Sequence, residues 1–88
     1  MRNFLITYDL NHPGKNYNSL ITKIKTYENI KICKSVWIIK SNSSSVEIRD
    51  LLSQEIDIND SLFVSGLTGE AAWRNCLESN EKIIKILK

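Results

Sequence analysis

One carboxylate stands out as a side chain that could take part in chemistry. Asp9 ends a strongly apolar segment and opens onto the Asn-His-Pro-Gly sequence of residues 11–14. A carboxylate at the end of a strand, beside a turn, is within reach of a metal ion or a substrate, and a two-fold axis nearby would supply a second copy. Paired carboxylates bind Mg²⁺ or Mn²⁺ together with water and phosphate oxygens, as in phosphodiester hydrolysis. An aspartate here also commonly forms or caps a turn, so both interpretations stay open.

Further polar residues extend this candidate site. His12 is the single histidine of the chain, and it is a candidate general base or metal ligand as well as an ordinary exposed loop residue. Ser35 follows Lys34 at a presumed hairpin, where a hydroxyl and an ammonium could meet a phosphate or the serine could cap the bend. The predicted catalytic residues are Asp9, Ser35 and His12, with Asp9 as the metal ligand. The predicted nucleic-acid contacts are Lys15, Lys34, Lys40 and Tyr8. For Tyr8, packing in the core is the other interpretation.

The composition is that of one small folded domain spanning residues 1–88. Hydrophobic residues make up 42% and charged residues 25% of the chain, with three Gly and one Pro, so disordered and collagenous classes are excluded. No apolar run approaches the roughly 20 residues of a membrane-spanning helix, and no leader is recognisable at Met1, so we expect a cytoplasmic protein with no membrane partner. The two cysteines have no CxxC spacing, and we expect them to be buried structural thiols.

Charge is distributed unevenly along the chain. The net charge is +2, but residues 1–42 carry +5 and the remainder carries −3. Such asymmetry can hold a phosphate backbone on one surface, although the two halves interleave in a small domain and the bias can cancel. Charge alone therefore leaves a nucleic-acid partner open.

Apolar runs rich in β-branched residues predict four strands. The first spans Arg2 to Leu10 and ends at the turn cluster. Between residues 29 and 41 the alternation breaks at Lys34-Ser35, which predicts a hairpin or bulged pair with strands at about 30–34 and 35–41. The fourth strand is predicted at residues 61–67.

Two amphipathic helices are predicted between these strands. The first covers about three turns from Asn16, its predicted N-cap, to Glu28. The second runs over about 46–55, and Ser44 and Glu47 before it have the spacing of a capping box. The order strand, helix, strand, strand, helix, strand is that of the ferredoxin-like βαββαβ plait, an α+β fold with an antiparallel four-stranded sheet and two helices on one face.

The second face of the sheet must also be covered, because the central strands have apolar residues at both odd and even positions, which point to opposite faces. Leu5 between Phe4 and Ile6 is an example. We predict a homodimer packed through the sheet or its edge, helped by a short C-terminal extension of about residues 70–88 that follows a core of about 1–67. The alternative is that the extension covers this face within one chain. In it we predict a helical turn over 70–77 and a short helix over 81–88, with an extended tail strand as the alternative for 81–88.

Three short motifs resemble one known family. They are Ile6-Thr7-Tyr8-Asp9-Leu10, Lys34-Ser35-Val36-Trp37 and Asn59-Asp60-Ser61-Leu62, which together are similar in order and spacing to the CRISPR-associated Cas-two superfamily, and more closely to its small stand-alone SinR-like relatives. The resemblance covers about residues 1–67. It implies a ferredoxin-like homodimer in which Asp9 faces its two-fold mate and holds a divalent metal, Mg²⁺ or Mn²⁺.

Family properties are implied only in part. Members have been assigned metal-dependent endonuclease activity, and the CRISPR members bind DNA as the central dimer of the spacer-integration complex of antiviral defence. This chain has Asn11-His12-Pro13-Gly14-Lys15 where those members commonly carry arginines, which weakens phosphate binding and nuclease chemistry. The region from Gly69 onward does not match the extra C-terminal strand that meets the integrase, so an integrase partner is not implied.

Three functions follow as hypotheses. The first is a dimeric module that binds nucleic acid or a nucleotide without strong catalysis. The second is a metal-dependent endonuclease, acting on RNA or DNA, that uses Asp9 from both protomers while Ser35, Lys34 and His12 position the phosphate. The third is an antidefence or regulatory factor of a mobile element that binds a protein partner. The slope of affinity against salt separates the nucleic-acid ligands from the protein ligand.

Overall fold

Four strands form one antiparallel sheet with the order β2-β3-β1-β4. The structure, a computed structural model, describes residues 1–12 and 16–88. The strands are β1 (Arg2–Asp9), β2 (Glu28–Cys33), β3 (Val36–Ser41) and β4 (Ser61–Leu67). The central strands β1 and β3 pair with each other, and β2 and β4 form the two edges. The fourth strand has the predicted bounds, and the first ends at Asp9, one residue before the predicted Leu10.

Helices lie between the strands in the order of a ferredoxin-like fold, which confirms the predicted class. They are α1 (Asn18–Ile24), α2 (Ser45–Ser53) and a C-terminal α3 (Asn80–Leu87). The main hydrophobic core lies between α1, α2 and one face of the sheet, and its fully or nearly fully buried side chains are Phe4, Ile6, Leu20, Ile24, Trp37, Ile39, Ile48 and Leu52. Their spacing of four in the helices and two in the strands is what the two periodicities require.

The first helix is shorter than the periodicity indicated. It ends at Ile24 instead of Glu28, and its N-cap is Tyr17 instead of Asn16. The side chain of Asn16 still accepts a hydrogen bond, at 2.8 Å, from the amide of Asn18, the first residue of the helix. Asn16 therefore lies one residue before the N-cap position. The helix ends earlier than predicted because of a tertiary contact. Glu28 pairs with Lys40 across the sheet, so the chain must leave the helix before Glu28.

The hairpin and the second helix follow their local signals. Lys34 and Ser35 form the turn between β2 and β3, and the register shifts between Lys31 and Cys33, so the predicted break is both a hairpin and a bulge. At the start of α2, Ser44 accepts from the amide of Glu47 at 3.1 Å, while the Glu47 carboxylate accepts from the amide of Ser44 at 2.9 Å. This is the predicted capping box.

The C-terminal extension folds back over the second face of the sheet. A final helix is present at Asn80–Leu87 as predicted, and Ser79 caps it. The predicted helical turn over 70–77 is wrong, because that segment is irregular. Gly69 and Asn75 have φ values of 95° and 55°, which a right-handed helix does not contain.

Coverage of the second face is divided between its two ends. Toward one end, Ile83 and Ile86 of α3 are each only 2% exposed. Ile83 lines an apolar cavity together with Leu5 and Ile38 of the sheet. Toward the other end, Phe63 is 62% exposed. The extension therefore covers part of this face within one chain, as the alternative interpretation had it, and leaves the part around Phe63 open. None of the described helices has the length and apolar character needed to cross a membrane.

Candidate functional site

Asp9 lies at the open end of the sheet. It is the last residue of β1 and is exposed. Its partner in register is Ser61 of β4, and the next pair on the same face is Thr7 with Phe63. A cleft of about 280 Å³ occupies this position and is lined by Thr7, Tyr8, Asp9, Ser61, Leu62 and Phe63. We call it the Asp9 cleft; on the Asp9 face of the sheet it combines one carboxylate, the hydroxyls of Thr7 and Ser61 and the exposed ring of Phe63.

The hairpin that carries Lys34 and Ser35 reaches the same end of the sheet. The amide of Tyr8 donates to the carbonyl of Ser35 at 3.3 Å, so the turn is anchored one residue from Asp9. The structure therefore brings together three of the residues singled out from the sequence, the acid, the serine and the lysine, at one end of two central strands.

His12 is held by an acid that the sequence analysis did not single out. Its Nε2 lies 3.4 Å from Oδ2 of Asp57, with about two fifths of both side chains exposed. This is an ion-pair distance when the imidazole is protonated, and the same nitrogen makes no hydrogen bond. The contact fixes the loop after β1 against the loop before β4, so His12 has a structural partner beside its predicted catalytic role.

Asp60 is the centre of this loop contact. Its carboxylate accepts from the amides of Asn11 at 2.7 Å and Asp57 at 2.9 Å, and from the hydroxyl of Tyr17 at 2.9 and 3.0 Å. Desolvation raises the pKa of Asp60, but these hydrogen bonds and the nearby imidazole outweigh it, so its pKa lies below the usual value. For Tyr17, desolvation, the hydrogen bond to Asp60 and the two nearby carboxylates raise the pKa.

Sequence reasoning did not assign a role to this cluster. Asp60 stood in one of the family-like motifs, and an Asp just before a strand is a signal for a turn in which the carboxylate binds backbone amides. The partners could not be found in this way, because Asn11 and Asp60 are 49 positions apart. The cluster positions Asn11 and His12, which follow Asp9 closely in the chain.

Tyr8 belongs to the helix-covered side of the sheet. Its ring packs against the main core, and its hydroxyl accepts a hydrogen bond from the indole Nε1 of Trp37 at 3.1 Å. The interpretation of Tyr8 as a core residue is therefore the one that its contacts favour, over stacking on a base.

The predicted basic contacts do not converge on one surface. Lys40 lies at the opposite end of the sheet, paired in register with Asn3, and its Nζ donates to the backbone carbonyl of Lys88 at 3.2 Å. Lys15 is outside the described residues. Elsewhere Lys31 stacks over the ring of Trp37, 5.6 Å from its centroid. Of the predicted basic contacts in the described part of the chain, Lys34 is the one in a turn at the end of the sheet where Asp9 lies.

A divalent cation would find one carboxylate here per chain. In residues 1–12 and 16–88 no group of three or more His, Cys, Asp or Glu side chains is placed to hold a metal ion. Mg²⁺ keeps several waters and binds through one or two carboxylates. Asp9, with Ser61 opposite it in the sheet, supplies one such carboxylate, and a second protomer would add its own Asp9.

Comparison with known proteins supports the fold. No protein-family model matches the chain, and no curated protein does either. The chain is similar to the crystal structure of a hypothetical protein TT1823 from Thermus thermophilus, with a TM-score of 0.68 and 19% sequence identity over 84% of this chain and 90% of that one. At this identity the likeness shows a shared fold.

Proposed function

We propose that the chain is a Cas-two-like homodimer whose paired Asp9 clefts bind nucleic acid or a nucleotide without strong catalysis. The observation that carries the proposal is Phe63, a large aromatic side chain 62% exposed on the same sheet face as Asp9. An exposed ring beside a carboxylate and a cleft is typical of a surface that is buried in an assembly.

A second copy of the chain is the occupant that fits this surface. At its other end the same sheet face is apolar, at Leu5 and Ile38, and is covered by α3, so a partner that continues this cover would present a similar apolar surface. A two-fold pairing does this without a new binding partner, since each protomer offers its own Phe63 to the other. β4 is also an edge strand, so its outer edge can take part.

Sedimentation velocity tests the dimer directly. We expect the wild type to sediment as a dimer at micromolar concentration and Phe63→Ser to sediment as a monomer with an unchanged circular dichroism spectrum. Ile58→Ser is the matched control, because Ile58 is 100% exposed in the loop before β4 and should leave the dimer intact. A monomeric wild type, or equal effects of both substitutions, would reject the pairing through Phe63.

The ligand class follows from the charge at the hairpin. Lys34 is a cation at the end of the sheet that carries Ser35 and Asp9, and a dimer doubles it. A lysine and a hydroxyl together suit a phosphate oxygen, because both donate hydrogen bonds and the ammonium adds charge. Acidic groups nearby, Asp57 and Asp60, are already engaged by His12 and by backbone amides.

Binding to labelled single-stranded RNA, single-stranded DNA and duplex DNA, measured by fluorescence anisotropy over a series of salt concentrations, tests this ligand class. Each phosphate contact contributes about one unit to the slope of log affinity against log salt. We expect Lys34→Ala to lower the slope by about one unit for each protomer in contact, and Lys40→Ala, at the opposite end of the sheet, to leave it unchanged. Binding without salt dependence would reject the phosphate contact, and no binding to any of the three nucleic acids would favour the protein-binding hypothesis.

A metal-dependent endonuclease is the second candidate, and one observation favours it. The Asp9 carboxylate makes no hydrogen bond or ion pair with any described residue, whereas the carboxylates of Asp57 and Asp60 in the neighbouring loop do. Its carboxylate is therefore available to a cation. Bound Mg²⁺ or Mn²⁺ would supply an activated water and stabilise charge on a phosphodiester, while Lys34 and Ser35 would orient the phosphate.

Cleavage assays separate the two candidates. Labelled RNA and DNA are incubated with metal-free protein and with protein supplied with Mg²⁺ or Mn²⁺, and Asp9→Asn and Asp50→Asn are assayed on matched preparations. Asp50 is an exposed acid of α2 that pairs with Arg49. Metal-dependent cutting that is lost only in Asp9→Asn would establish the nuclease; equal traces of cutting in all three proteins would leave the binding module.

We also propose that the protein resides in the cytoplasm. Both cysteines are free thiols, which is usual for proteins of a reducing compartment.

A further inference from the structure

The two cysteines of the chain lie side by side, although 43 positions separate them in sequence. Cys33 is the last residue of β2, and Cys76 lies in the irregular part of the C-terminal extension. The amide of Leu77 donates to the carbonyl of Ile32 at 2.9 Å, which fastens the two chain segments next to both thiols. The thiol of Cys33 is close enough to that of Cys76 to contribute to raising its pKa.

The two thiols differ in their access to solvent. Cys33 is exposed and Cys76 is half-buried, so the expectation of buried structural thiols is wrong for Cys33. It fails because the strand ends there and the chain turns away from the core. Cys76 lines an apolar cavity of about 130 Å³ together with Ile32, Ile38 and Ile83. An oxidant in solution therefore reaches Cys33 first.

Cys76 is held in place by its local backbone. Asn75 has a φ of 55°, in the left-handed region that asparagine tolerates better than most residues. Burial, followed by the neighbouring Cys33, raises the pKa of the Cys76 thiol, and a hydrogen bond from the backbone of Arg74 acts in the opposite direction. Cys76 thus stays a protonated thiol near neutral pH, sheltered beside an accessible one.

We propose that Cys33 and Cys76 are a redox pair, in which peroxide oxidises Cys33 and Cys76 resolves it to an intramolecular disulfide that ties the C-terminal extension to β2. In the first step the Cys33 thiol takes one oxygen from hydrogen peroxide, giving a sulfenic acid and water. In the second step the Cys76 sulfur attacks the Cys33 sulfur, the S–O bond breaks, and a second water leaves with the proton of the Cys76 thiol. Two thiols lose two electrons and two protons in total.

The cross-link would act on the cover of the second sheet face. Residues 70–79 have no regular secondary structure and are attached to β2 through the Leu77 amide. A covalent bond beside that contact holds this segment closed, and with it the cavity behind α3. Cytosolic disulfides of this kind are usually transient and redox-sensing. The inference is independent of the proposed function, since neither cysteine lines the Asp9 cleft.

Peptide mapping of the full chain tests the pair. The reduced protein is treated with a slight excess of hydrogen peroxide, and free thiols, electrophoretic mobility without reductant and proteolytic peptides are followed together. We expect both thiols to disappear in parallel, a monomer-sized band, and a Cys33–Cys76 cross-linked peptide that dithiothreitol removes. The rate of cross-linking should not change when the protein is diluted tenfold, because the reaction is intramolecular.

Two variants give the complementary result. In Cys76→Ser the resolving thiol is absent, so a sulfenic acid at Cys33 should persist and be trapped by dimedone. In Cys33→Ser, Cys76 should react much more slowly with peroxide. Cross-linking between two chains, overoxidation of Cys33 in the wild type, or equal dimedone labelling of wild type and Cys76→Ser would overturn the proposal. The wild-type peptide map decides the matter even where a variant fails to fold.

Discussion

The docking of α3 on the sheet can be tested with two neighbouring isoleucines. Ile83 is 2% exposed and Ile84 is 46% exposed, so the same substitution at adjacent positions of one helix removes a buried side chain in one case and a half-exposed one in the other. Ile83→Ala and Ile84→Ala change helix propensity equally, which leaves burial as the difference between them.

The expected cost follows from the buried groups. Isoleucine loses three carbon atoms on substitution by alanine, and at about 0.8 kcal/mol for each buried carbon the transfer term at Ile83 is about 2.4 kcal/mol. A residual cavity beside the one already present behind α3 adds to this, which places Ile83→Ala at about 3 kcal/mol. Ile84→Ala should cost about 1 kcal/mol or less, because about half of that side chain is already in water.

Thermal and urea unfolding, followed by the fluorescence of the buried Trp37, measure the difference. A loss of about 3 kcal/mol corresponds to a melting temperature lowered by about 12–24 °C for a domain of this size. Ile84→Ala should shift it by only a few degrees, about 4–8 °C at most. Equal losses for the two variants, or a larger loss for Ile84→Ala, would refute the conclusion that α3 covers the sheet with its Ile83 face.

Three further perturbations have defined outcomes. Asp60→Asn should destabilise the protein at neutral pH, since an amide cannot accept all of the hydrogen bonds of the carboxylate. Folding lowers the pKa of Asp60, so the stability that its carboxylate contributes is complete above the usual pKa of about 3.9 and is lost as the pH falls through the folded-state value. The urea midpoints of wild type and variant should therefore converge in acid. Ser44→Ala removes the capping box and should cost about 1 kcal/mol in urea unfolding, whereas Ser43→Ala should be nearly neutral. The oxidised protein closes a loop of 44 residues by the positions of its cysteines and should gain up to about 4 kcal/mol over the reduced one in the same assay; a loss of stability on oxidation would show a strained bond.

Local signals in the sequence were enough for much of the fold. The capping box of Ser44 and Glu47, the fourth strand and the break at Lys34-Ser35 depend on residues within a few positions of one another, and all three are present as predicted. The element order predicted the ferredoxin-like class for the same reason, since the periodicities of helix and strand are local properties.

The end of α1 and the form of residues 70–79 were decided by the tertiary structure. Glu28 leaves the helix because it pairs with Lys40 in the sheet, and this pairing overrides an apolar spacing that continues to Tyr27. The segment after Gly69 follows the surface of the second sheet face, with backbone angles at Asn75 that no helical spacing could indicate.

The sequence by itself determined which groups reach the end of β1, because Asp9 terminates a strand and Lys34-Ser35 forms a turn wherever the sheet is built. The tertiary structure decided which of the predicted groups come together. It separated Lys40 from the Asp9 cleft, gave His12 an acidic partner and placed Cys33 beside Cys76. These contacts join residues more than 25 positions apart, and their partners are set by strand order and loop packing, which a local pattern of residue types does not contain.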